Sequence, residues 1–176
     1  VGVGIGAALR GLLPVVELMF GDFMTLAFDQ LVNHAAKFPG MYDGKVSVPL
    51  VVRTPMGAGR GYGPTHSQSL EKHFMGVPGL WLLAPHYMGD PGLLLKKAVL
   101  ECDDPVLFIE SKTCYSKVLS GPPEDMVAHV YTTEDEPFPT IRLCHADAKD
   151  GPEAILLCYG GMLGLCLEAV QNLKAR

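Results

Sequence analysis

The chain has 176 residues, 48% of them hydrophobic and 19% charged, so it can bury a core and is neither a disordered tail nor a coiled coil. Its 14 Lys and Arg against 19 Asp and Glu give a formal charge of −5, which leaves a nucleic-acid-binding role without an electrostatic basis. No apolar run reaches the roughly 18 residues that a membrane helix needs. The longest candidate, residues 11–28, is interrupted by Pro14, Glu17, Gly21 and Asp22.

Predicted helices and strands alternate along the first two thirds of the chain. The helices show apolar residues at helical spacing and the strands are short apolar runs between turn residues; Asp22 is the expected N-cap of the second helix. The predicted elements in chain order are helix 2–9, strand 15–20, helix 23–38, strand 48–52, Gly-rich loop 56–64, helix 67–75, strand 80–84, helix 91–101 and strand 106–109.

This regular succession predicts an α/β fold in which a parallel sheet carries helices on both faces, giving three layers. Residues 116–151 break the alternation, and their prolines, glycines and acidic residues are typical of an inter-domain linker. A buried strand over 154–158 and a helix over 162–173 then indicate the opening strand–helix unit of a second domain. The expected organisation is a first domain over 1–115, a linker over 116–151 and the start of a truncated second domain over 152–176.

The cysteine pattern favours reduced thiols in a reducing compartment. The count of five is odd and no pair has C-x-x-C spacing, which argues against a disulfide framework and against a zinc site. The first residue is Val, so we expect the chain to be cut from something longer, and the lack of a visible signal peptide carries little weight.

The glycine-rich segment and the histidine after it are candidates for chemistry. Glycines permit unusual backbone angles and close approach of a ligand, but no Gly-Lys-Ser/Thr follows, so the segment is not a Walker loop. An active-site loop and a plain connection are both compatible with it. His66 stands at the end of this loop, where ligands of open α/β sheets gather, and histidine is the side chain best suited to exchange protons at physiological pH. It is therefore an acid–base candidate, with a capping role as the alternative.

Eight short blocks spread over nearly the whole chain share the order of a known family. They are residues 6–17 (GAALRGLLPVVE), 22–23 (DF), 29–37 (DQLVNHAAK), 48–53 (VPLVVR), 66–69 (HSQS), 78–80 (PGL), 89–98 (GDPGLLLKKA) and 104–106 (DPV). Together they resemble the β subunits of the thiamine-diphosphate-dependent first components of 2-oxo acid dehydrogenase complexes, of the pyruvate and branched-chain type. The resemblance implies the transketolase-like pyrimidine domain of the thiamine-diphosphate-binding fold, followed by the start of a transketolase C-terminal-like domain.

The same resemblance implies a reaction and its partners. Thiamine diphosphate would lie across a subunit interface, its diphosphate and Mg held mainly by an α subunit and its aminopyrimidine by this domain, in an assembly of two α with two β. A 2-oxo acid such as pyruvate or a branched-chain acid would lose carbon dioxide, and its acyl fragment would pass to a lipoyl group on a transacylase core. The expected location is the cytoplasm, or the mitochondrial matrix in a eukaryote.

The resemblance also assigns site residues. Phe23 matches the aromatic residue that packs on the pyrimidine, with Met19 beside it, and His66 matches the active-site histidine of acyl transfer. A monovalent-cation site, with K as a possible ion, is implied mostly through backbone carbonyls at Leu50, Ala98, Val99, Cys102 and Asp104.

One departure from the family limits the expected activity. The family's catalytic Glu is expected to fall a few residues before Val1, and Glu17 matches a different family position, so the chain alone is predicted to be inactive. Two other interpretations stay open: a transketolase or deoxyxylulose-phosphate-synthase type domain, and a non-catalytic interaction module that retains the fold. The HSQS block at His66 favours the dehydrogenase.

Overall fold

A four-stranded parallel sheet forms the centre of the computed structural model, which describes residues 1–133, 137–147 and 152–174. The strand order is β1-β2-β4-β3, so β2 and β4 are the two inner strands. This confirms the predicted parallel sheet. The strands are β1 (Val15–Glu17), β2 (Val51–Met56), β3 (Trp81–Leu83) and β4 (Val106–Ser111).

The two inner strands are apolar on both faces, which explains why their sequences read as continuous apolar runs. They pair in register from Val51 opposite Val106 to Met56 opposite Ser111. Successive side chains point to opposite faces. Val51 and Phe108 therefore enter one core cluster and Val52 enters the other.

Helices cover both faces of the sheet and complete the three predicted layers. The Val52 face packs against α1, α2 and the π-helical segment that extends α2, whereas the Phe108 face packs against α4. In the described ranges, no helix is both long enough and apolar enough to cross a bilayer. The helical elements of this region are α1 (Gly2–Ala8), α2 (Met24–Asp29), the π-helical segment Gln30–Ala35, α3 (Phe38–Met41) and α4 (Pro91–Leu100).

Two local predictions in this domain are wrong, and one hydrogen-bonded pair explains both. Asp22 does not cap α2: it lies in a 3-10 turn, and its side chain accepts hydrogen bonds from Gln68 instead. The segment predicted as helix 67–75 contains only the 3-10 turn Glu71–His73. The carbonyl of Gln68 accepts from the N–H of Gly57, so the backbone at Gln68 is held by tertiary partners rather than by a helical ladder.

The region after β4 differs from its prediction in two places. The predicted linker contains an antiparallel hairpin, β5 (Met126–Tyr131) and β6 (Thr140–His145); its residues 134–136 and 148–151 lie outside the described ones. The strand predicted over 154–158 is wrong, because these residues are exposed and pair with no described strand. The helix predicted after it is confirmed as α5 (Leu163–Lys174).

Candidate active site

The candidate site lies at the carboxyl edge of the sheet, because each of its parts follows the end of a strand. Phe20 and Phe23 follow β1, the glycine-rich loop that leads to His66 follows β2, and Lys112 follows β4. Ligands of open parallel sheets bind at this edge. The topology therefore brings together residues from three separate stretches of the chain.

The His66 ring packs edge-to-face against two phenylalanine rings. Its centroid lies 4.5 Å from that of Phe20, with an interplanar angle of 87°, and 5.4 Å from that of Phe23, at 78°. Thr65 Oγ1 lies 2.9 Å from His66 Nδ1. The second ring nitrogen, Nε2, is then the one left for proton exchange with a ligand. Phe23 and His66, which the resemblance assigns to one site, thus lie side by side.

Phe23 also lines an apolar groove of about 490 Å³ together with Met19. Met19 is 64% exposed, so this apolar side chain is open to a ligand or partner. Phe23 belongs to both the groove and the His66 contact and joins the two. The side chains that line the groove are Val1, Leu18, Met19, Phe23, Leu26, Ala27 and Gln30.

Asp22 is a site residue whose place the sequence analysis misread. Its side chain is 6% exposed, and its Oδ1 accepts hydrogen bonds from the Gln68 backbone N at 3.3 Å and from Gln68 Nε2 at 2.7 Å. Gln68 is two residues beyond His66, so this buried carboxylate holds the end of the His66 segment against the start of α2.

Lys112 is a second residue that the sequence analysis did not identify. It is 2% exposed, and its Nζ donates to the carbonyl of Gly57 at 3.2 Å and to the carbonyl of His66. The ammonium also lies 4.9 Å from the Phe20 ring centroid and 5.6 Å from that of Tyr62. Burial lowers the pKa of Lys112, and attraction to Asp22 opposes that shift.

The glycine-rich loop has a backbone shape that requires its glycines. Four of them, at positions 57, 59, 61 and 63, have φ values of 93°, 89°, 74° and 76°. Residues with a Cβ rarely adopt this left-handed region. The loop therefore departs from β2 along a path that its sequence specifies, and Lys112 fastens both ends of it.

The five residues predicted for a monovalent cation lie at the other edge of the sheet. Leu50 precedes β2, Ala98 and Val99 form the end of α4, and Cys102 and Asp104 stand in the turn before β4. In the described chain, no cluster of three or more His, Cys, Asp or Glu residues could hold a metal ion. Since the predicted ligands are mostly backbone carbonyls, the cation site stays a prediction.

Hydrogen bonds engage several main-chain and side-chain groups around that predicted cation site. The Leu50 carbonyl accepts from the Val106 N–H at 2.8 Å, and Asp104 Oδ2 accepts from Trp81 Nε1 at 3.3 Å. Burial raises the pKa of the Cys102 thiol, whose Sγ donates to the Asp104 carbonyl at 3.5 Å. Asp104 thus has one carboxylate oxygen committed to Trp81.

Glu17 takes part in an ion-pair network that links neighbouring strands. Its Oε2 lies 3.7 Å from Arg53 Nη1, and Arg53 makes a bidentate pair with Glu110 at 2.9 and 3.0 Å. The Tyr115 hydroxyl donates to the same Glu110 carboxylate at 2.6 Å. This network stabilises the neighbouring strands and adds no free carboxylate to the groove.

Comparison with known proteins identifies the family. The model of the transketolase pyrimidine-binding domain matches residues 1–117. The chain is 40% identical over 176 residues to the β subunit of acetoin:2,6-dichlorophenolindophenol oxidoreductase of Bacillus subtilis, covering 99% of this chain and 47% of that protein.

Two further relatives carry related names. One is the 2-oxoisovalerate dehydrogenase β subunit of Bacillus subtilis, 36% identical over 98% of this chain and 49% of that protein. The other is the mitochondrial pyruvate dehydrogenase E1 component β-1 subunit of Arabidopsis thaliana, 34% identical over 98% and 45%. The chain thus spans about half the length of these curated relatives, and the resemblance inferred from its eight sequence blocks is confirmed. The chain belongs to the transketolase pyrimidine-binding domain family.

Proposed function

We propose that this chain is the pyrimidine-binding part of the β subunit of a thiamine-diphosphate-dependent 2-oxo acid dehydrogenase that passes its acyl product to a lipoyl group. The single observation that carries this proposal is that Phe23 contacts both the apolar groove and His66. Its ring faces the apolar groove and also contacts His66 at 5.4 Å between centroids. A ring-shaped ligand in the groove would therefore lie beside an imidazole able to move a proton.

The groove fits the aminopyrimidine end of thiamine diphosphate and does not fit its diphosphate. Phe23 and Met19 offer aromatic and thioether surface for a flat ring, and the Gln30 amide adds a polar group. None of the lining side chains is charged. The diphosphate and its Mg would then be held by the α partner, with Phe23, Met19 and Gln30 holding the ring. Bound there, the cofactor would supply the carbanion chemistry of decarboxylation.

His66 would act in the transfer to the lipoyl group. The electron pair that loss of carbon dioxide leaves on the former carbonyl carbon goes into the new carbon–sulfur bond at one lipoyl sulfur. The S–S bond breaks, its pair stays on the other sulfur, and that sulfur takes up a proton. We assign that proton to Nε2–H of His66, since Thr65 occupies the Nδ1 side at 2.9 Å. The contacts with Phe20 and Phe23 fix the ring plane and so the direction of Nε2.

We also propose the remaining parts of the assembly that the family resemblance implies. They are an α subunit, in the ratio of two α to two β, a lipoyl-bearing transacylase core, and K at the carbonyls near the end of α4. One relative is named as mitochondrial, which supports a matrix location if this chain is eukaryotic and a cytoplasmic one otherwise.

Calorimetric titration of thiamine diphosphate with Mg tests the proposal. The full-length β subunit is titrated alone and after assembly with its α partner. Because the groove carries no charged lining, we expect measurable binding only in the assembly. Carbon dioxide release from pyruvate and from branched-chain 2-oxo acids is then measured with 2,6-dichlorophenolindophenol as electron acceptor. Absence of both binding and turnover in a correctly assembled α–β protein would remove the proposal.

A further inference from the structure

We infer that Lys112 is a positioning residue for His66, acting through the backbone of the glycine-rich loop. The inference begins with burial: Lys112 is 2% exposed, although lysine is among the residues least often buried without a partner. In the described part of the chain its ammonium makes no direct ion pair, and its hydrogen bonds go to two main-chain carbonyls. The buried ammonium therefore serves to hold these two carbonyls in place.

The two carbonyls belong to opposite ends of the loop. Gly57 is the first residue after β2, and His66 is the residue whose ring faces Phe20 and Phe23. One ammonium therefore closes the loop across residues 57–66 and pins the His66 backbone to the end of β4. The left-handed glycines inside the loop have no side chain that could anchor it, so its course depends on contacts such as those of Lys112.

Aromatic rings complete the surroundings of the ammonium. Phe20 lies 4.9 Å from Nζ and also contacts the His66 ring at 4.5 Å, so the same ring touches the positioning group and the positioned one. Tyr62, at 5.6 Å from Nζ, is a loop residue. Attraction between a cation and aromatic faces strengthens in such a desolvated setting.

The buried carboxylate of Asp22 attracts the Lys112 ammonium. The same carboxylate binds Gln68 through both the backbone N and Nε2, at 3.3 and 2.7 Å. The segment from His66 to Gln68 is thus held by a cation at its first residue and an anion at its last. Removing the ammonium releases the His66 carbonyl and leaves it buried without its donor, so the histidine end of the segment should shift while the Gln68 end stays.

The activity part of this inference rests on the proposed function. A misplacement of about 1 Å in a reacting group costs about a hundredfold in rate. Lys112→Met in the full-length α–β assembly should therefore lower acyl transfer to a lipoyl domain by roughly ten- to a hundredfold. Reduction of 2,6-dichlorophenolindophenol, which bypasses the lipoyl group, should stay within about threefold of the unmodified protein. Lys112→Arg keeps the charge and the N–H donors but on a larger planar group, so it should recover part of the transfer rate.

Lys97→Met is the matched control. Lys97 also donates to a main-chain carbonyl, that of Pro137 at 2.5 Å, but it belongs to α4, far along the chain from the loop. Its substitution should leave the ratio of acyl transfer to dye reduction unchanged. If Lys112→Met fails to assemble, Lys112→Gln keeps two N–H donors without the charge and serves for the same comparison.

Hydrogen exchange tests the inference independently of any activity. The amides of Gly57 and Gln68 are both hydrogen-bonded, to the Gln68 carbonyl and to Asp22. In Lys112→Met the Gly57 amide should exchange at least tenfold faster, while amides of β2 and β4 keep their rates. Unchanged exchange at Gly57, or equal losses of dye reduction and acyl transfer, would overturn the inference. An unmodified assembly that neither reduces dye nor acylates the lipoyl domain would instead overturn the proposed function, and the exchange result would still decide on Lys112.

Discussion

Replacing Asp22 with Asn should destabilise the fold by about 2–4 kcal/mol near neutral pH. The Asp22 carboxylate accepts two hydrogen bonds from Gln68, at 3.3 and 2.7 Å, while being 6% exposed. A hydrogen bond to a charged group contributes about 1.5–3 kcal/mol and a neutral one about 1 kcal/mol, so the pair should weaken by about 1–2 kcal/mol when the longer bond is discounted. The rest of the loss comes from Lys112.

The attraction between Asp22 and Lys112 accounts for the rest of the expected destabilisation. It acts on the pKa of Lys112, but the two groups are farther apart than a direct ion pair. Beyond about 4 Å, an effective dielectric constant of about 20 limits such an attraction to about 4 kcal/mol. A double-mutant cycle of Asp22→Asn with Lys112→Met should therefore give a coupling energy of about 1–3 kcal/mol.

The loss of unfolding free energy caused by Asp22→Asn should depend on pH, and the titration of Lys112 sets the direction. Burial lowers the pKa of Lys112 from its ordinary value of 10.5, and loss of Asp22 should lower it further. Because the unfolded chain then binds the proton more tightly than the folded one, stability rises with pH between the folded pKa and that ordinary value. The difference in unfolding free energy between the variant and the unmodified protein should shrink from about pH 7 to about pH 10.

Urea denaturation of the full-length β subunit, at one fixed protein concentration, measures both quantities. Asp90→Asn is the matched control: Asp90 caps α4 by accepting from the Leu93 N–H at 2.8 Å, and Asn caps a helix as well as Asp. That control should cost less than about 0.5 kcal/mol at either pH. A cycle coupling below about 0.5 kcal/mol, or an Asp22→Asn deficit that is the same at both pH values, would refute the buried charge pair.

Three further substitutions have defined outcomes. His66→Ala should lower acyl transfer to a lipoyl domain by roughly a hundredfold or more, measured in stopped flow, and unchanged transfer would exclude His66 from the reaction. Phe23→Ala should raise the calorimetric dissociation constant of thiamine diphosphate by about 2- to 13-fold, from the loss of about 0.5–1.5 kcal/mol of ring contact, whereas Phe28→Ala, which removes a ring packed on Phe74, should not. Gly79→Ala should cost more than about 2 kcal/mol in thermal unfolding, because φ is 82° and a Cβ would press on the Ala36 carbonyl; equal losses in Gly76→Ala, where φ is 76° and the space is open, would contradict this.

The sheet could be predicted because its inner strands are apolar on both faces, and this burial is visible in their local sequence. Residues 51–52 and 106–109 are buried on both faces, and such strands read as continuous apolar runs. The same rule failed at residues 154–158, which are apolar yet exposed. A strand needs a neighbour to satisfy its backbone, and none of the described strands lies beside this one. Apolar composition shows that a segment can be buried, but pairing depends on other parts of the chain.

Asp22 and the segment 67–75 show a second limit of the sequence. Asp before an amphipathic run is a typical N-cap, and the sequence of residues 67–75 predicts a helix. Both local signals were outweighed by tertiary contacts of Gln68, its two hydrogen bonds to Asp22 and the one from the Gly57 N–H to its carbonyl. A pattern scan evaluates neighbours along the chain, whereas Gln68 and Asp22 are 46 residues apart.

The sequence predicts the site residues themselves better than the residue that positions them, again because the positioning contacts join distant parts of the chain. Phe23 and His66 could be placed by resemblance, because each stands in a short block of matching sequence. Lys112 could not, since a lysine after a strand reads as a surface residue, and its partners His66 and Gly57 are 46 and 55 residues away. Once the parallel sheet brings the three strand ends to one edge, however, Lys112 lies just beyond an inner strand, is covered by the glycine-rich loop and is only 2% exposed. The depth of β4 in the sheet therefore turns an ordinary surface residue into the group that sets the histidine, and a change at Lys112 should reach the reaction without touching any ligand.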